Sequence, residues 1–246
     1  MKYDIDKIIV LDIDEVLNSH QSLFIMWARH LGLSFSYKNL YKNGPTKKDW
    51  DRMFKKRPLC EKIGFPPMLS ENMPLDRQAV YVFNKIVEKS GAKVLICSSW
   101  RGGRELNELR KLLINEHGLK CEIIGKTPYM WETHPKYEQN GEWYEPPICS
   151  YPFYSGYRRG EEILWWLNEH APNVKNIAIL DDSCKMDIIQ LFPDHCVIPS
   201  GNGGLKWKFY QQALEILEKP INVVEMYEKI KSENKNLNAE YSEKKS

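Results

Sequence analysis

The 246-residue sequence lacks the long apolar segments that membrane proteins carry. It contains no run of about 18 apolar residues, so it offers no transmembrane helix. Its first residues, Met1–Asp6, include acids where a secretory signal peptide would carry an apolar core. We therefore expect a protein that has no membrane partner and is not secreted.

Paired cysteines are also missing. The cysteines form no Cys-x-x-Cys pair, which argues against a zinc ribbon and against a disulfide framework. They are Cys60, Cys97, Cys121, Cys149, Cys184 and Cys196. Scattered cysteines favour unbridged thiols in a reducing compartment, so we expect a cytoplasmic protein.

An excess of charge of one sign is absent as well. The chain has 35 Lys and Arg residues against 33 Asp and Glu residues, so its formal charge is only +2. This balance does not by itself indicate a nucleic-acid partner. With 42% hydrophobic and 28% charged residues, the composition is that of a globular protein with one elaborated domain or two small ones.

The sequence does contain apolar runs of strand length that alternate with segments of helical periodicity. The strand candidates are Lys7–Leu11, Cys121–Ile124, Cys196–Ile198, Lys93–Cys97 and Asn176–Leu180. The helix candidates are Leu75–Lys89, Arg104–His117, Glu161–His170 and Pro220–Lys231. Continuous apolar runs indicate strands covered on both faces, and their alternation with helices predicts a doubly wound (Rossmann-like) parallel α/β sheet.

Two stretches fit no strand–helix–strand unit and are long enough to be insertions, at about 33–74 and 126–157. The first is basic and aromatic, with nine Lys and Arg residues against three acids between Lys38 and Lys62. The second is aromatic. We expect a single catalytic domain over residues 1–231 that carries both insertions as a cap and a loop, followed by a polar, flexible tail at 232–246.

Acidic and hydroxyl side chains follow three of the strand candidates at the point where each strand ends. They are Asp12, Asp14, Ser98, Ser99, Asp181 and Asp182. Taken one at a time, these residues are typical of turns and helix caps. Ligands of open α/β sheets, however, bind beyond the carboxyl ends of the strands. Several acidic oxygens in one such crevice predict a Mg²⁺ site that recruits a substrate phosphate.

The same segments resemble a known family. Ile8–Asp14, Val94–Ser98 and Ile177–Asp182 are similar to the first, second and fourth motifs of the haloacid dehalogenase (HAD) superfamily of phosphohydrolases. Further likeness, to the branch named after Swiss-army-knife RNA repair proteins, lies in Leu17-Asn18, Ser98-Ser99-Trp100-Arg101, Arg159–Leu167 and Gly204-Leu205. The resemblance spans about residues 7–217, with the two insertions outside it.

The resemblance implies a covalent mechanism that uses two acids. Asp12 matches the nucleophile, which forms and then loses an aspartyl phosphate. Asp14 matches the general acid/base that protonates the leaving oxygen and then activates water. Mg²⁺ would bind Asp12, the backbone carbonyl of Asp14, and Asp181. Asp182 is either a further ligand or a group that orients the others.

The resemblance also implies a set of phosphate-binding groups. Ser98 would donate a hydrogen bond to a phosphate oxygen, with the backbone N–H of Ser99 beside it. The family cation, usually Lys, is matched here by Arg159, with Arg158 as the alternative. Arg101 is a further candidate for substrate binding.

Glu15 stands where the family commonly has Gly, which leaves the geometry of the loop after the first strand open.

These features predict a Mg²⁺-dependent phosphomonoesterase that acts on a nucleic-acid 3′-phosphate end or on a nucleotide. Two alternatives remain: an inactive nucleic-acid binding module with the same fold, and a small-molecule phosphatase or phosphotransferase. The basic first insertion suits a phosphate backbone and stacked bases. In the alternative interpretation, Tyr41, Trp50 and Phe54 form a small core for the cap and its lysines are merely solvated. The sequence predicts no oligomeric state.

Overall fold

The computed structural model describes residues 2–30, 45–55, 75–128, 137–139, 142–144, 159–183, 186–199 and 203–232. Its strands are β1 (Lys7–Leu11), β2 (Lys93–Ile96), β3 (Ile123–Lys126), β4 (Tyr137–Gln139), β5 (Glu142–Tyr144), β6 (Asn176–Leu180) and β7 (Cys196–Val197). Five of them form one sheet in the order β3-β2-β1-β6-β7, and every neighbouring pair is parallel. The predicted doubly wound α/β fold is thereby confirmed.

Helices occupy most of the segments between the strands. They are His20–His30, Lys47–Phe54, Arg77–Ser90, Leu106–Arg110, Arg159–His170, Met186–Leu191, Lys208–Ile216 and residues 223–232. The helix Arg77–Ser90 begins at Asp76, whose side chain accepts from the N–H of Gln78, and ends at Gly91 with φ 67°. None of the helices among the described residues is both long and apolar enough to cross a membrane.

The alternating side chains of the sheet divide the core into two layers. Ile9 and Leu11 of β1 face the helices Arg77–Ser90 and Lys208–Ile216, whereas Ile8 and Val10 face the helix Arg159–His170. Because both faces are covered, the strands are apolar along their whole length, as the sequence pattern indicated.

The boundaries of several elements differ from those predicted by one to three residues, and two of the differences have a structural reason or change the type of helix. β3 begins at Ile123 rather than Cys121 and continues to Lys126, through Gly125. A Cβ at Gly125 would lie 2.4 Å from the indole of Trp166, so close packing requires glycine where the apolar run ends. The predicted helix Arg104–His117 is a shorter α-helix, Leu106–Arg110, that continues as a π-helical segment, Lys111–Glu116.

Only parts of the two insertions belong to the described residues. In the first, the helix Lys47–Phe54 is described, and the ring of Trp50 packs edge-on against Phe24 at 5.0 Å between centroids. This contact agrees with a packing role for Trp50. In the second, β4 and β5 form an antiparallel pair. Tyr41 and the tail from residue 233 onward lie outside the described residues.

Candidate active site

The register of the sheet brings three strand ends to one level. Leu11 of β1 pairs with Ile96 of β2 on one side and with Leu180 of β6 on the other. The next residue along β1, Asp12, donates its N–H to Leu180 at 2.9 Å, and the N–H of Cys97 donates to Leu11 at 2.9 Å. The side chains that follow these three strands therefore share one crevice at the carboxyl edge of the sheet.

Arg159 joins the acids of two neighbouring strands. Its Nη1 donates to Asp12 Oδ2 at 2.6 Å and to Asp181 Oδ2 at 2.9 Å. Both carboxylates are almost fully buried, and Arg159, the first residue of its helix, has 15% of its side chain exposed. The structure thus brings the predicted cation to the predicted nucleophile, whereas Arg158 lies outside the described residues.

Burial sets the charge balance of this trio. Loss of solvent raises the pKa of Asp12 to about 6; Arg159 lowers it and Asp181 raises it. Burial also disfavours the charged form of Arg159, yet the two carboxylates hold its pKa above the ordinary value. The ionised form of Asp12 therefore depends on the positive charge beside it.

Asp14 is oriented by three hydrogen-bond donors. Asn18 Nδ2 and Trp100 Nε1 donate to its Oδ1 at 2.9 and 3.0 Å, and Ser99 Oγ donates to its Oδ2 at 3.0 Å. Asn18 and Trp100 belong to the family-like motifs, yet the sequence pattern assigns them no role. The available signal is their chemistry, since an amide and an indole are neutral N–H donors placed next to acids and hydroxyls.

Ser98 and Ser99 lie where β2 ends, and they differ in exposure. Ser98 is fully buried, and its Oγ accepts from the N–H of Trp100 at 3.4 Å, so it caps the short helical turn Ser99–Arg101. Ser99 is exposed and directs its hydroxyl at Asp14. Capping and phosphate binding are compatible here, because the hydroxyl that accepts from Trp100 retains its own O–H as a donor.

Arg101 lies inside the protein rather than in the open crevice. Its side chain is 2% exposed and forms an ion pair with Glu162 of the helix Arg159–His170. It also donates to the carbonyl oxygens of Ser98, Thr127 and Pro128 at 2.6, 3.1 and 3.2 Å. Arg101 therefore ties the loop after β2 to the helix that carries Arg159, which is a different place from the one expected of a substrate-binding residue.

Three carboxylates could hold a metal ion. Asp12, Asp181 and Asp182 each offer an oxygen, and these oxygens lie within 4.8 Å of one another. Asp181 Oδ1 is fixed by the N–H and the hydroxyl of Ser183 at 3.0 and 3.1 Å. Hard carboxylate oxygens are the donors that Mg²⁺ prefers, so this set fits the predicted cofactor. The carboxylate of Asp14 is instead engaged by its three donors.

Glu15 keeps the glycine-like turn in spite of its side chain. Its φ is 59°, in the left-handed region, which costs a non-glycine residue roughly 1–2 kcal/mol. Its N–H donates to Asn18 Oδ1 at 2.8 Å. Its carboxyl group hydrogen-bonds with that of Asp182, and burial, with the nearby charges of Asp181 and Glu15, raises the pKa of Asp182 to about 6. The loop after β1, whose geometry the sequence left open, therefore forms the tight turn that glycine usually makes.

Comparison with known proteins adds the family. A search of curated proteins gave no match. Among solved structures, a HAD-superfamily hydrolase from Ehrlichia chaffeensis is similar at 16% identity, with 88% of this chain and 97% of that chain covered and a TM-score of 0.36. The family model for the HAD domain in Swiss Army Knife RNA repair proteins matches residues 8–208. Because that match includes all the strand ends of the site, the chain belongs to this family of the HAD superfamily.

Proposed function

We propose that this HAD-family hydrolase domain is a Mg²⁺-dependent phosphomonoesterase that acts on a nucleic-acid 3′-phosphate end or on a nucleotide. The observation that carries the proposal is Arg159, whose guanidinium bridges Asp12 and Asp181 beside Asp182. A cation fixed next to a carboxylate nucleophile suits a phosphate dianion, because it offsets the repulsion between the two anions.

In the first step, a carboxylate oxygen of Asp12 attacks phosphorus and the bond from phosphorus to the leaving oxygen breaks. Asp14, in its acid form, gives its proton to that oxygen, so the alcohol leaves neutral and Asp12 carries the phosphoryl group. The hydrogen bonds from Trp100 and Asn18 to Asp14 hold the carboxyl group in place for this transfer.

In the second step, water replaces the alcohol. The carboxylate of Asp14 takes a proton from a water molecule while the oxygen of that water attacks phosphorus. The bond between phosphorus and the Asp12 oxygen then breaks. Inorganic phosphate leaves, Asp12 is again a carboxylate, and Asp14 is again an acid. One residue therefore serves both half-reactions, first as acid and then as base.

The phosphate oxygens need donors throughout. The hydroxyl of Ser98, the N–H of Ser99 and the guanidinium of Arg159 would supply them. Asp12, Asp181 and Asp182 would hold Mg²⁺, which supplies positive charge against the anionic nucleophile and phosphate.

The inactive binding module is the less favoured interpretation. Two departures from the family pattern favour that interpretation: Glu15 stands where the family commonly has glycine, and Arg159 stands where it usually has lysine. Glu15 adopts the left-handed turn, and Arg159 reaches both Asp12 and Asp181. Both departures from the family pattern are therefore compatible with an intact site.

A phosphate-release panel tests the proposal. It compares 3′- and 5′-phosphorylated oligonucleotides, mononucleotides and sugar phosphates, each with Mg²⁺ and with EDTA. We expect Mg²⁺-dependent release, with the 3′-phosphorylated oligonucleotide or a nucleotide preferred. Release from no substrate would overturn the enzyme assignment, and release from sugar phosphates alone would identify a small-molecule phosphatase.

A further inference from the structure

Three aromatic rings form a stack on the surface, outside the candidate active site. Trp207 and Tyr210 lie 4.6 Å apart between ring centroids with 5° between their planes, and Tyr81 lies 6.2 Å from Trp207 at 26°. Tyr81 and Trp207 are 56% and 52% exposed, the largest values among the exposed large hydrophobic side chains that the structure describes. We call these residues the aromatic stack.

Two rings of the aromatic stack, Tyr81 and Trp207, are exposed, whereas Tyr210 is partly buried against the core. Val80, Val82 and Phe83, which adjoin Tyr81 in the helix Arg77–Ser90, are buried, and so is Phe209 next to Tyr210. The two segments thus pack mainly through other residues and leave the rings of Tyr81 and Trp207 exposed. Large aromatic side chains that remain exposed together are typical of interaction sites.

Basic side chains flank the aromatic stack on both helices. They are Arg77, Lys85, Lys206 and Lys208. Lys85 Nζ lies 6.0 Å from the centroid of the Tyr81 ring. The acids of the same segments are Asp76, which caps its helix, Glu88, which pairs with Lys85, and Glu215, which accepts from Gln211. Because Glu88 neutralises Lys85, the positive charge beside the aromatic stack comes from Arg77, Lys206 and Lys208, and this charge complements a phosphate backbone.

The aromatic stack is anchored to the loop that follows the catalytic acids. The N–H of Leu205, two residues before Trp207, donates to Val16 at 2.7 Å, and the N–H of Asp76 donates to Leu17 at 2.8 Å. Lys206 Nζ donates to Gln21 Oε1 at 2.9 Å. Both helices that carry the rings are thus joined to the chain immediately after Asp14.

We propose that the aromatic stack binds unpaired bases of a single-stranded nucleic acid whose 3′-phosphate end enters the active site. Every base offers a flat face to an exposed ring, and the flanking lysines and arginine neutralise phosphates. A second protein is a poorer fit, because two exposed rings are far smaller than the roughly 800 Å² that each partner contributes to a stable interface. This inference rests on the proposed function and deepens it, because it selects a polynucleotide over a mononucleotide.

The binding test uses the full chain in EDTA and a fluorescent, unphosphorylated single-stranded RNA 10-mer, so that catalysis plays no part. We expect Trp207→Ala and Tyr81→Gln each to raise the Kd by about fivefold or more, the loss typical of one stacked base. Trp207→Phe, which keeps a ring, should stay within about twofold. Val224→Ala, at a 45% exposed apolar residue elsewhere, is the matched control and should bind as wild type does.

Two results would overturn the proposal: wild-type Kd values in both Trp207→Ala and Tyr81→Gln, or equal losses in those variants and in Val224→Ala. A wild-type dimer that Trp207→Ala converts to a monomer in size-exclusion chromatography would also overturn it, because a second copy would then cover the rings. Circular dichroism shows whether each variant is folded. If Trp207→Ala fails to fold, Tyr81→Gln decides alone, since Tyr81 lies on the exposed face of its helix.

A kinetic test separates this inference from the proposed function. On a 3′-phosphorylated 10-mer, Trp207→Ala should raise KM with kcat within about twofold, and on a small phosphate ester it should change neither. A wild-type enzyme that releases no phosphate would overturn the proposed function, while the RNA-binding result would still decide the role of the aromatic stack. An equal loss of kcat on both substrates would overturn the inference.

Discussion

The indole N–H of Trp100 donates a hydrogen bond to Asp14 Oδ1 at 3.0 Å. This contact joins the loop after β2 to the loop after β1, and it holds the acid/base of the proposed reaction from a second segment of the chain. Trp100 is 2% exposed, so its ring also fills the core. The residue therefore has a packing role and a positioning role that mutation can separate.

Trp100→Phe keeps a ring and removes the N–H donor. Because a hydrogen bond to a charged group contributes about 1.5–3 kcal/mol, we expect kcat to fall about tenfold or more with KM little changed. The matched control is Trp165→Phe, at a buried tryptophan on the other face of the sheet. Both variants should lower Tm, but only Trp100→Phe should lower kcat. Equal kcat values in the two variants would contradict a positioning role.

Asp12→Asn tests the nucleophile. The amide is nearly isosteric and cannot form the aspartyl phosphate, so phosphate release should be lost while the fold remains. Residual turnover above about 10% of wild type would rule out covalent catalysis at Asp12. Asp6→Asn, at an exposed acid paired with Lys175, is the control and should leave both turnover and Tm unchanged.

Metal dependence has a readout other than activity. If Asp12, Asp181 and Asp182 hold Mg²⁺, its addition to EDTA-treated protein should raise Tm, because a ligand of the native state stabilises that state. Asp182→Asn should reduce this rise. Turnover should vanish in EDTA and return with Mg²⁺, whereas Ca²⁺ should bind and support turnover poorly. Full activity in EDTA would refute the metal assignment.

The parts of this site that the sequence predicts are those that local patterns determine. Apolar runs locate the strand ends, so the sequence alone places Asp12, Ser98 and Asp181 at the ends of three strands. The structure shows that these strands are neighbours. Contacts between distant segments are not predictable in this way, because no local pattern encodes them. The ion pair of Arg101 with Glu162 and the hydrogen bond of Trp100 to Asp14 are of this kind.

The same reasoning explains the boundary errors. Gly125 ends an apolar run in the sequence, yet the strand continues through it, paired with Leu95, and the ring of Trp166 fills the space that a side chain would take. The catalytic and binding roles of all the site residues, Asp12 and Asp14 included, stay predictions, as do the cap and loop functions of the insertions.

His195 gives a prediction for pH. Burial lowers its pKa, although its ring contacts the carbonyl of Ile177 at 3.2 Å and Asp194 lies near, and Lys219 adds to the lowering. The unfolded chain therefore binds the proton more readily than the folded one. Neutral His195 therefore contributes to the free energy of unfolding at pH values above the ordinary histidine pKa, about 6.5. This contribution is lost as the pH falls from there toward the pKa of His195 in the folded protein.

His195→Gln should remove this pH-dependent loss. Between pH 7 and pH 5, the free energy of unfolding should fall less in the variant than in wild type, as measured by urea denaturation at each pH. Carboxyl groups that titrate in both proteins contribute equally to the two changes in unfolding free energy, so the difference between them reports on His195. A parallel decline in the two proteins would show that His195 binds its proton equally well in the folded and unfolded states.

The lysines of the first insertion provide the last prediction. Lys47 and Lys48 of the helix Lys47–Phe54 and Lys55 directly after it are exposed, whereas Trp50 of that helix packs against Phe24. The side chain that packs and the side chains left free to meet solvent are therefore different residues of this segment. If the lysines are merely solvated, replacing them should leave the salt dependence of KM unchanged. If they guide a phosphate backbone, replacing them should make KM depend less on salt.

Replacing the three lysines with glutamine should raise KM for a 3′-phosphorylated oligonucleotide and make KM rise less steeply with salt, because fewer counterions are released on binding. Turnover of a small phosphate ester should stay within about twofold, since the strand-end carboxylates are unchanged. The control replaces three exposed lysines elsewhere, Lys175, Lys219 and Lys229, so that the net charge is matched. An effect of the same size in both variants would indicate general electrostatic attraction. Loss on neither substrate would make the insertion a plain cap, and RNA binding would then depend on the aromatic stack alone.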